Sequence, residues 1–178
     1  MMKDSRWFVV RNGVTALGEL GGEEALSHLT GALGNEHPRV RREAVLALAK
    51  LGSRESEALI LGVLDDPSPQ VRAASARALG ALKSQRSVTS LIKLIGDRDA
   101  DVQTETIRAL GQIRDPAAVH AIEKKAMGTL FSRPPREVRI AAFQSLAAIG
   151  TPGALRALEK GMDDRDEEVR RAVRSFVG

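Results

Sequence analysis

The feature that most constrains this chain is a repeat with a period near 31 residues. In its clearest copies a valine is followed by a small residue four positions later and by large aliphatic residues eight and eleven positions later. The clearest copies are VRREAVLALAKL, VRAASARALGAL, VQTETIRALGQI and VRIAAFQSLAAI, and the register valines of the whole series are at 9, 40, 71, 102, 138 and 169. The successive intervals are 31, 31, 31, 36 and 31 residues. A fixed period in this range predicts a stacked array of supersecondary units.

The spacing within each copy matches a helix rather than a strand. Apolar residues at offsets of 0, 4, 7, 8 and 11 lie on one helical face, whereas a half-buried strand needs strict alternation. A second apolar run with similar spacing separates the copies, as in EEALSHLTGAL at 23–33 and SEALILGVL at 56–64. Each unit is therefore predicted to be a hairpin of two helices.

Capping residues agree with this prediction. Asp115 before Pro116 and Thr151 before Pro152 provide a side-chain acceptor followed by a residue without an N–H, which indicates helix starts. Glycines that follow the last apolar position favour a left-handed helix end. They occupy the twelfth position after the register valine and are Gly21, Gly52 and Gly150.

These patterns predict an all-α fold, an α-solenoid of stacked helical hairpins with about five to six repeats. Residues 1–178 are expected to form a single solenoid domain, because no linker or shift in composition interrupts them. Small residues on the main apolar stripe allow neighbouring hairpins to approach closely. Apolar residues near both ends, such as Trp7 and Phe176, favour the hypothesis that the chain is a segment of a longer array. End-to-end self-association follows from that hypothesis.

Composition excludes several classes of protein. The chain has no Cys, which excludes disulfides, thiolate catalysis and thiolate metal sites. No apolar run approaches the ~18 residues of a membrane span, and the first residues lack the pattern of a secretory signal, so a cytoplasmic location is expected. The isoelectric point is near 9.8, but the formal charge is only +4. Little titrates between His and Lys in this chain, so the high isoelectric point is weak evidence for nucleic-acid binding.

Two segments carry a resemblance to a known family. DDPSPQVRAASARALGAL at 65–82 and DDRDEEVRRAVRSFVG at 163–178 resemble the HEAT repeat, and more closely the short bacterial HEAT-like repeat named after phycobilisome lyases. The resemblance covers nearly the whole chain. It implies an architecture that serves as a scaffold in many settings, and it specifies little about function.

The resemblance also implies a structural ladder of polar residues. In that family an acidic residue in the turn of a repeat pairs with the arginine after the register valine. The matching pairs here are Asp66 with Arg72, Asp164 with Arg170, and Asn35 with Arg41 as a neutral variant. The pattern is expected to fail at Val10, at Gln103 and at Arg139, and the stack is expected to be less rigid around the fourth and fifth repeats.

The same resemblance implies a partner-binding surface, the concave face formed by the second helix of each repeat. Its centre is moderately basic, and arginine presents a planar fork of donors to a carboxylate or phosphate. The expected partner is a protein or peptide, with acidic character as one option. The residues predicted to contact it are Arg42, Leu46, Lys50, Arg77, Thr104, Arg108, Gln112 and Gln144.

The leading functional hypothesis is a non-enzymatic interaction scaffold without cofactors. A bilin-lyase-like factor is an alternative suggested by the repeat resemblance alone. Nucleic-acid binding is another, which the single Trp and the carboxylates among the basic positions disfavour. A chain of this kind would still show weak, salt-dependent DNA binding.

The remaining features indicate no further site. The interval of 36 residues places an insertion within 127–137, which is interpreted as neutral length variation, with a partner-gripping loop as the alternative. The three histidines lie in different repeats and form no short ligand pair, so no metal site is predicted. The acidic segment DDRDEE at 163–168 is interpreted as a turn and helix start.

Overall fold

The computed structural model of the chain describes residues 7–20, 22–129 and 133–177, with side chains described from residue 10 onward except that of residue 19. Every regular element in these ranges is helical. The α-helices are α1 (Trp7–Leu20), α2 (Gly22–Leu33), α3 (Pro38–Leu51), α4 (Arg54–Leu61), α5 (Pro69–Ala81), α6 (Val88–Leu94), α7 (Ala100–Ile113), α8 (Val119–Met127), α9 (Arg136–Ile149), α10 (Pro152–Glu159) and α11 (Glu167–Val177). Short 3₁₀ turns at Gln85–Ser87 and Pro116–Ala118 lead into α6 and α8, and one at Lys160–Asp163 follows α10. The all-α prediction is confirmed.

The helices alternate between the two roles that the repeat predicts. The odd-numbered helices contain the register valines, and the even-numbered helices contain the intervening apolar runs. Register valines 40, 71, 102, 138 and 169 are all buried. Each register valine belongs to the apolar stripe of its helix, and these stripes face inward and supply most of the core.

Contacts divide the chain into two compact units, Met1–Leu82 and Lys83–Gly178. In the first unit, α3 packs between α1 and α5 and also contacts α2 and α4. In the second unit, α9 packs between α7 and α11 and also contacts α8 and α10. Each unit therefore repeats one packing arrangement. A single continuous solenoid over residues 1–178 stays a prediction.

Two glycines show why small residues recur along the stripe. A Cβ atom added to Gly18 on α1 would lie 2.6 Å from Cβ of Ala47 on α3. One added to Gly111 on α7 would lie 2.7 Å from Cβ of Ser145 on α9. Both distances are too short for carbon atoms, so these helix pairs approach as closely as glycine allows.

The predicted helix starts are found where the sequence places them. Asp115 accepts a hydrogen bond from the N–H of Ala117, and Thr151 accepts one from the N–H of Ala154. Gly52 and Gly150 end α3 and α9 in the left-handed conformation, with φ of 62° and 68°. Gly21 lies outside the described residues.

Candidate functional site

Two basic residues occupy turns that glycine fills elsewhere. Lys83 and Arg114 stand twelve residues after register valines 71 and 102, the same position as Gly52 and Gly150. Their φ angles are 52° and 62°, and they are the only non-glycine residues with positive φ in the described chain. A side chain with a Cβ pays about 1–3 kcal/mol for this conformation. The turns are therefore strained in a way that glycine would relieve.

Both residues line an open groove in the second unit. The groove has a volume of about 630 Å³ and lies along the exposed sides of α7 and α9. We call it the α7–α9 groove. Its polar lining residues are Lys83, Arg108, Gln112, Arg114, Gln144 and Ser145.

The groove is cationic. Lys83, Arg108 and Arg114 line it, and no lining residue is a carboxylate. Arg108 donates a hydrogen bond of 2.9 Å to Glu105, one helical turn earlier. Lys83 and Arg114 form no ion pair with any described residue. Two of the three cations are therefore available to an anionic group.

The neutral lining residues provide hydrogen-bonding groups. Gln112 and Gln144 are exposed, and a primary amide offers both donors and acceptors. The hydroxyl of Ser145 is buried and donates to the carbonyl oxygen of Ile107 at 2.9 Å. The backbone groups of an extended peptide need partners such as the two exposed amides.

The predicted contact residues fall into two groups, one in each unit. Arg108, Gln112 and Gln144 come together in the α7–α9 groove. In the first unit Arg42, Lys50 and Arg77 are exposed and Leu46 is half-buried.

Thr104 was predicted to contact a partner, but the structure places it away from the exposed surface. Its side chain is buried, with 9% relative exposure. Its hydroxyl donates to the carbonyl oxygen of Ala100, a helical backbond to the preceding turn. Thr104 therefore helps to pack α7 and offers no group to a partner.

Lys83 and Arg114 are absent from the predicted contacts, although the sequence contains a signal for them. The twelfth position of the repeat is Gly52 or Gly150 in two other copies. A lysine and an arginine at a position that calls for left-handed backbone are unexpected. Comparing this one column across the repeats would have identified both.

The ladder exists, but its carboxylates join adjacent repeats. Arg41 donates from Nε and Nη2 to the two carboxylate oxygens of Asp66, both at 2.7 Å. Its Nη1 donates to the carbonyl oxygen of Asn35 in its own turn. Within the same repeat, Nη1 of Arg72 donates a hydrogen bond of 2.8 Å to the backbone carbonyl oxygen of Asp66. The expected pairing of residues six apart is thus corrected to a side-chain pairing of residues 25 apart.

The second unit repeats this geometry. Arg139 donates to both oxygens of Asp164, at 3.1 and 3.3 Å, and to the carbonyl oxygen of Pro134. Arg170 donates to the carbonyl oxygen of Asp164. The expectation that the pattern fails at Arg139 is wrong, because its guanidinium reaches the aspartate of the next repeat. Asp66 and Asp164 each also accept the N–H two residues later, which fixes the turn.

The other two departures from the pattern follow the same rule. Arg41 and Arg139 each face the turn residue that stands five positions before the next register valine, and we expect the same correspondence in the other repeats. By this rule the ladder residue Val10 corresponds to the turn residue Asn35, and Gln103 corresponds to Arg133. Where the turn carries no acid, the ladder carries no arginine. Gln103 still donates to the carbonyl oxygen of Asp97 in its own turn.

The ion pair holds Asp66 in its charged form. Burial alone would raise the pKa of Asp66, but hydrogen bonds from Arg41 and from the N–H of Ser68, with the charges of Arg41 and Arg72, lower it below its usual range. The same contact raises the pKa of Arg41. The side chains are 12% and 5% exposed, so little water screens the pair.

The insertion is anchored to the next acidic turn. Arg133 donates to Asp164 at 3.5 Å, and Arg136 pairs with Asp166 and Glu168. Hydrogen bonding by Arg136 lowers the pKa of Asp166. The acidic segment therefore acts as a turn and helix start that three arginines hold, counting Arg139. Phe131 lies outside the described residues.

Neither a metal cluster nor a membrane span is found in the part of the chain that the structure describes. No group of three His, Asp or Glu side chains there is placed to hold a metal ion. None of the described helices combines the length and apolar character that crossing a bilayer requires.

Sequence comparison assigns the repeats to a family. The model of HEAT repeats matches residues 1–61, 56–129 and 90–176, which together span almost the whole chain. The chain belongs to the HEAT-repeat family. No curated protein matches its sequence significantly.

Solved structures share this HEAT-repeat fold. The chain is similar to the CpcE–CpcF complex of phycocyanin lyase from Nostoc sp. PCC7120, with 24% identity and a TM-score of 0.68 over 99% of this chain and 73% of that one. It is also similar to a designed armadillo repeat protein in complex with the peptide (KR)4, with 21% identity and a TM-score of 0.59 over 94% of this chain and 90% of that one. Human deoxyhypusine hydroxylase matches with 18% identity and a TM-score of 0.52, over 98% of this chain and 80% of that one. At these identities the likeness establishes the HEAT-like helical fold.

Proposed function

We propose that this chain is a non-enzymatic scaffold that binds a protein or peptide segment through the second helices of its repeats. The observation that supports the proposal is the α7–α9 groove. Exposed side chains of two successive second helices line it, and three of them, Arg108, Gln112 and Gln144, are residues for which the repeat pattern predicts contact.

The chemistry of the groove suits an extended segment better than a reaction. Gln112 and Gln144 present amides on neighbouring repeats, and a primary amide can hydrogen-bond the main chain of a bound peptide. The lining contains no histidine and no carboxylate that would act as a general base. A designed armadillo repeat protein of similar fold is solved in complex with the peptide (KR)4, which supports peptide binding by a helical repeat array.

The test is selection from a peptide library displayed on phage, followed by affinity measurement with the selected peptides. We expect at least one extended peptide to bind, and Gln112→Ala with Gln144→Ala to weaken it about tenfold or more. Lys93→Ala with Lys124→Ala, on the first helices α6 and α8, is the matched control and should leave affinity unchanged. Failure to select any peptide, or equal binding by both double variants, would overturn the proposal.

The likeness to phycocyanin lyase calls for one parallel measurement. A bilin mixed with the chain should show no shift in its absorption spectrum if the chain acts only as a scaffold. Saturable bilin binding that Gln112→Ala and Gln144→Ala do not affect would favour the lyase-like alternative.

A further inference from the structure

We propose that the α7–α9 groove recognises an acidic segment, and that Lys83 and Arg114 are the residues that give it this specificity. The proposal rests on the proposed scaffold function and names the chemistry of the partner. It is carried by the coincidence of two observations, the left-handed backbone at both residues and their place in one groove.

The backbone at positions 83 and 114 is not explained by folding alone. Gly52 and Gly150 make the same turn without a Cβ, so the repeat does not need a side chain there. A helix C-terminus does favour a cation, but a lysine or arginine in the last helical turn meets that preference with ordinary right-handed backbone. The strain at Lys83 and Arg114 therefore calls for a role outside the turn itself.

The placement of the two side chains supplies that role. Both line the same groove as Arg108, and neither pairs with a described carboxylate. A groove with three cations and no carboxylate carries a positive potential, which attracts an anionic partner and orients it. An arginine also offers two parallel donors to a carboxylate.

The rest of the lining favours a peptide over a nucleic acid. Single-stranded nucleic acids bind through aromatic side chains on which bases stack, and no aromatic residue lines the α7–α9 groove. The exposed amides of Gln112 and Gln144 suit the backbone groups of a peptide instead. The partner is therefore a protein segment with at least two Asp or Glu residues.

The experiment uses peptides selected from the library with the full chain. The proposal expects enrichment of Asp and Glu in the selected sequences. It also expects Lys83→Gly with Arg114→Gly to weaken binding about tenfold or more while the melting temperature stays equal or rises. Because glycine suits both turns, misfolding does not explain such a loss.

Two control variants isolate the effect from net charge. Lys124→Ala with Arg165→Ala removes two exposed cations outside the groove and should leave affinity unchanged. Lys83→Arg with Arg114→Lys keeps both charges and should retain binding within about threefold.

The outcomes separate this inference from the scaffold proposal. Selected peptides without acidic enrichment, or full binding by the double glycine variant, would overturn the acidic specificity and leave the scaffold standing. Failure to select any peptide would overturn both. Tighter binding of a single-stranded oligonucleotide than of the acidic peptides, lost in the double glycine variant, would replace the peptide with a nucleic acid and overturn the inference.

Discussion

The two units hold their acidic turns with different numbers of arginines. In Met1–Leu82 the carboxylate of Asp66 receives a two-pronged hydrogen bond from Arg41. In Lys83–Gly178 the carboxylate of Asp164 contacts Arg139 and Arg133, and the neighbouring Asp166 lies 3.4 Å from Arg139. At this ladder position the carboxylate is thus bound by one arginine in the first unit and by a network of arginines in the second. Equivalent substitutions should therefore have unequal costs.

A second contrast concerns the ends of the second helices. The second helices α3 and α9 are followed by the left-handed glycines Gly52 and Gly150, whereas α5 and α7 are followed by the left-handed basic residues Lys83 and Arg114. Where glycine makes the turn, the turn only connects helices. Where a basic residue makes it, the turn also places a charge in the α7–α9 groove. The comparison separates positions that serve the fold from positions that we propose serve binding.

The largest expected effect comes from removing the ladder carboxylates. Asp66→Ala leaves the guanidinium of Arg41 without its carboxylate and should lower the free energy of unfolding by about 3 kcal/mol. Asp164→Ala should cost less, about 2 kcal/mol, because Asp166 remains close to Arg139. Urea denaturation of both variants measures the difference. Equal costs would contradict the network interpretation.

The effect of Asp66 should also depend on pH in a defined direction. The pKa of Asp66 is lowered in the folded state, and an unfolded aspartate titrates near ~3.9. The stabilisation is therefore complete above the unfolded pKa and is lost as the pH falls through the lower, folded pKa. The free energies of unfolding of the original chain and of Asp66→Ala should therefore converge on acidification.

The two close helix contacts should rank next. Gly111→Ala forces its new Cβ against Ser145 and disturbs the buried bond from that hydroxyl to Ile107, so a loss of about 2–3 kcal/mol is expected. Gly18→Ala meets only Ala47 and should cost about 1–2 kcal/mol. Gly13→Ala, on α1 with open space around it, should instead stabilise by about 0.5–1 kcal/mol. Thermal unfolding of the three variants tests the order.

The rule that the ladder residue matches the next turn residue predicts a measurable coupling. Gln103→Arg alone brings a cation towards Arg133 and should be neutral or slightly destabilising. Combined with Arg133→Asp it restores the pair found at Arg41 and Asp66, and the coupling energy of the double-mutant cycle should be about 1 kcal/mol in favour of the pair. A coupling of zero would show that residues 103 and 133 do not face each other.

The smallest effect is expected at the exposed edge of the network. Arg136 pairs with Asp166 and Glu168, and the side chains of Arg136 and Glu168 are exposed while that of Asp166 is 21% exposed. Arg136→Gln should change the melting temperature slightly at low ionic strength and not measurably at high salt, because counterions screen exposed pairs. A large change that persists at high salt would mean that Arg136 has a structural role like that of Arg139.

The helices were predictable because their signals are local. The apolar spacing and the capping pairs Asp115–Pro116 and Thr151–Pro152 act within a few residues, and the structure has helices where they indicate. The ladder was expected with partners six residues apart, because the family resemblance implies that pairing. Its carboxylate pairs instead join residues 25 apart, and only the stacking of repeats brings these together.

The candidate site shows the same limit. Gln112 and Gln144 were predictable from their place on exposed helical positions, whereas Thr104 is buried although it occupies a similar column. Burial at that position depends on how tightly α7 packs, which the local pattern does not contain. Lys83 and Arg114 line the groove with left-handed backbone. Residue propensities alone would have assigned that backbone conformation to glycine.

The ladder also bears on where a chain of this kind can differ in length between repeats. Where a repeat contributes an arginine that points forward, as Arg41 and Arg139 do, the next repeat contributes the acid that it meets. The five-residue excess between valines 102 and 138 falls between Gln103 and Arg133, where the sequence has neither half of the pair. The extra residues therefore separate no ladder ion pair.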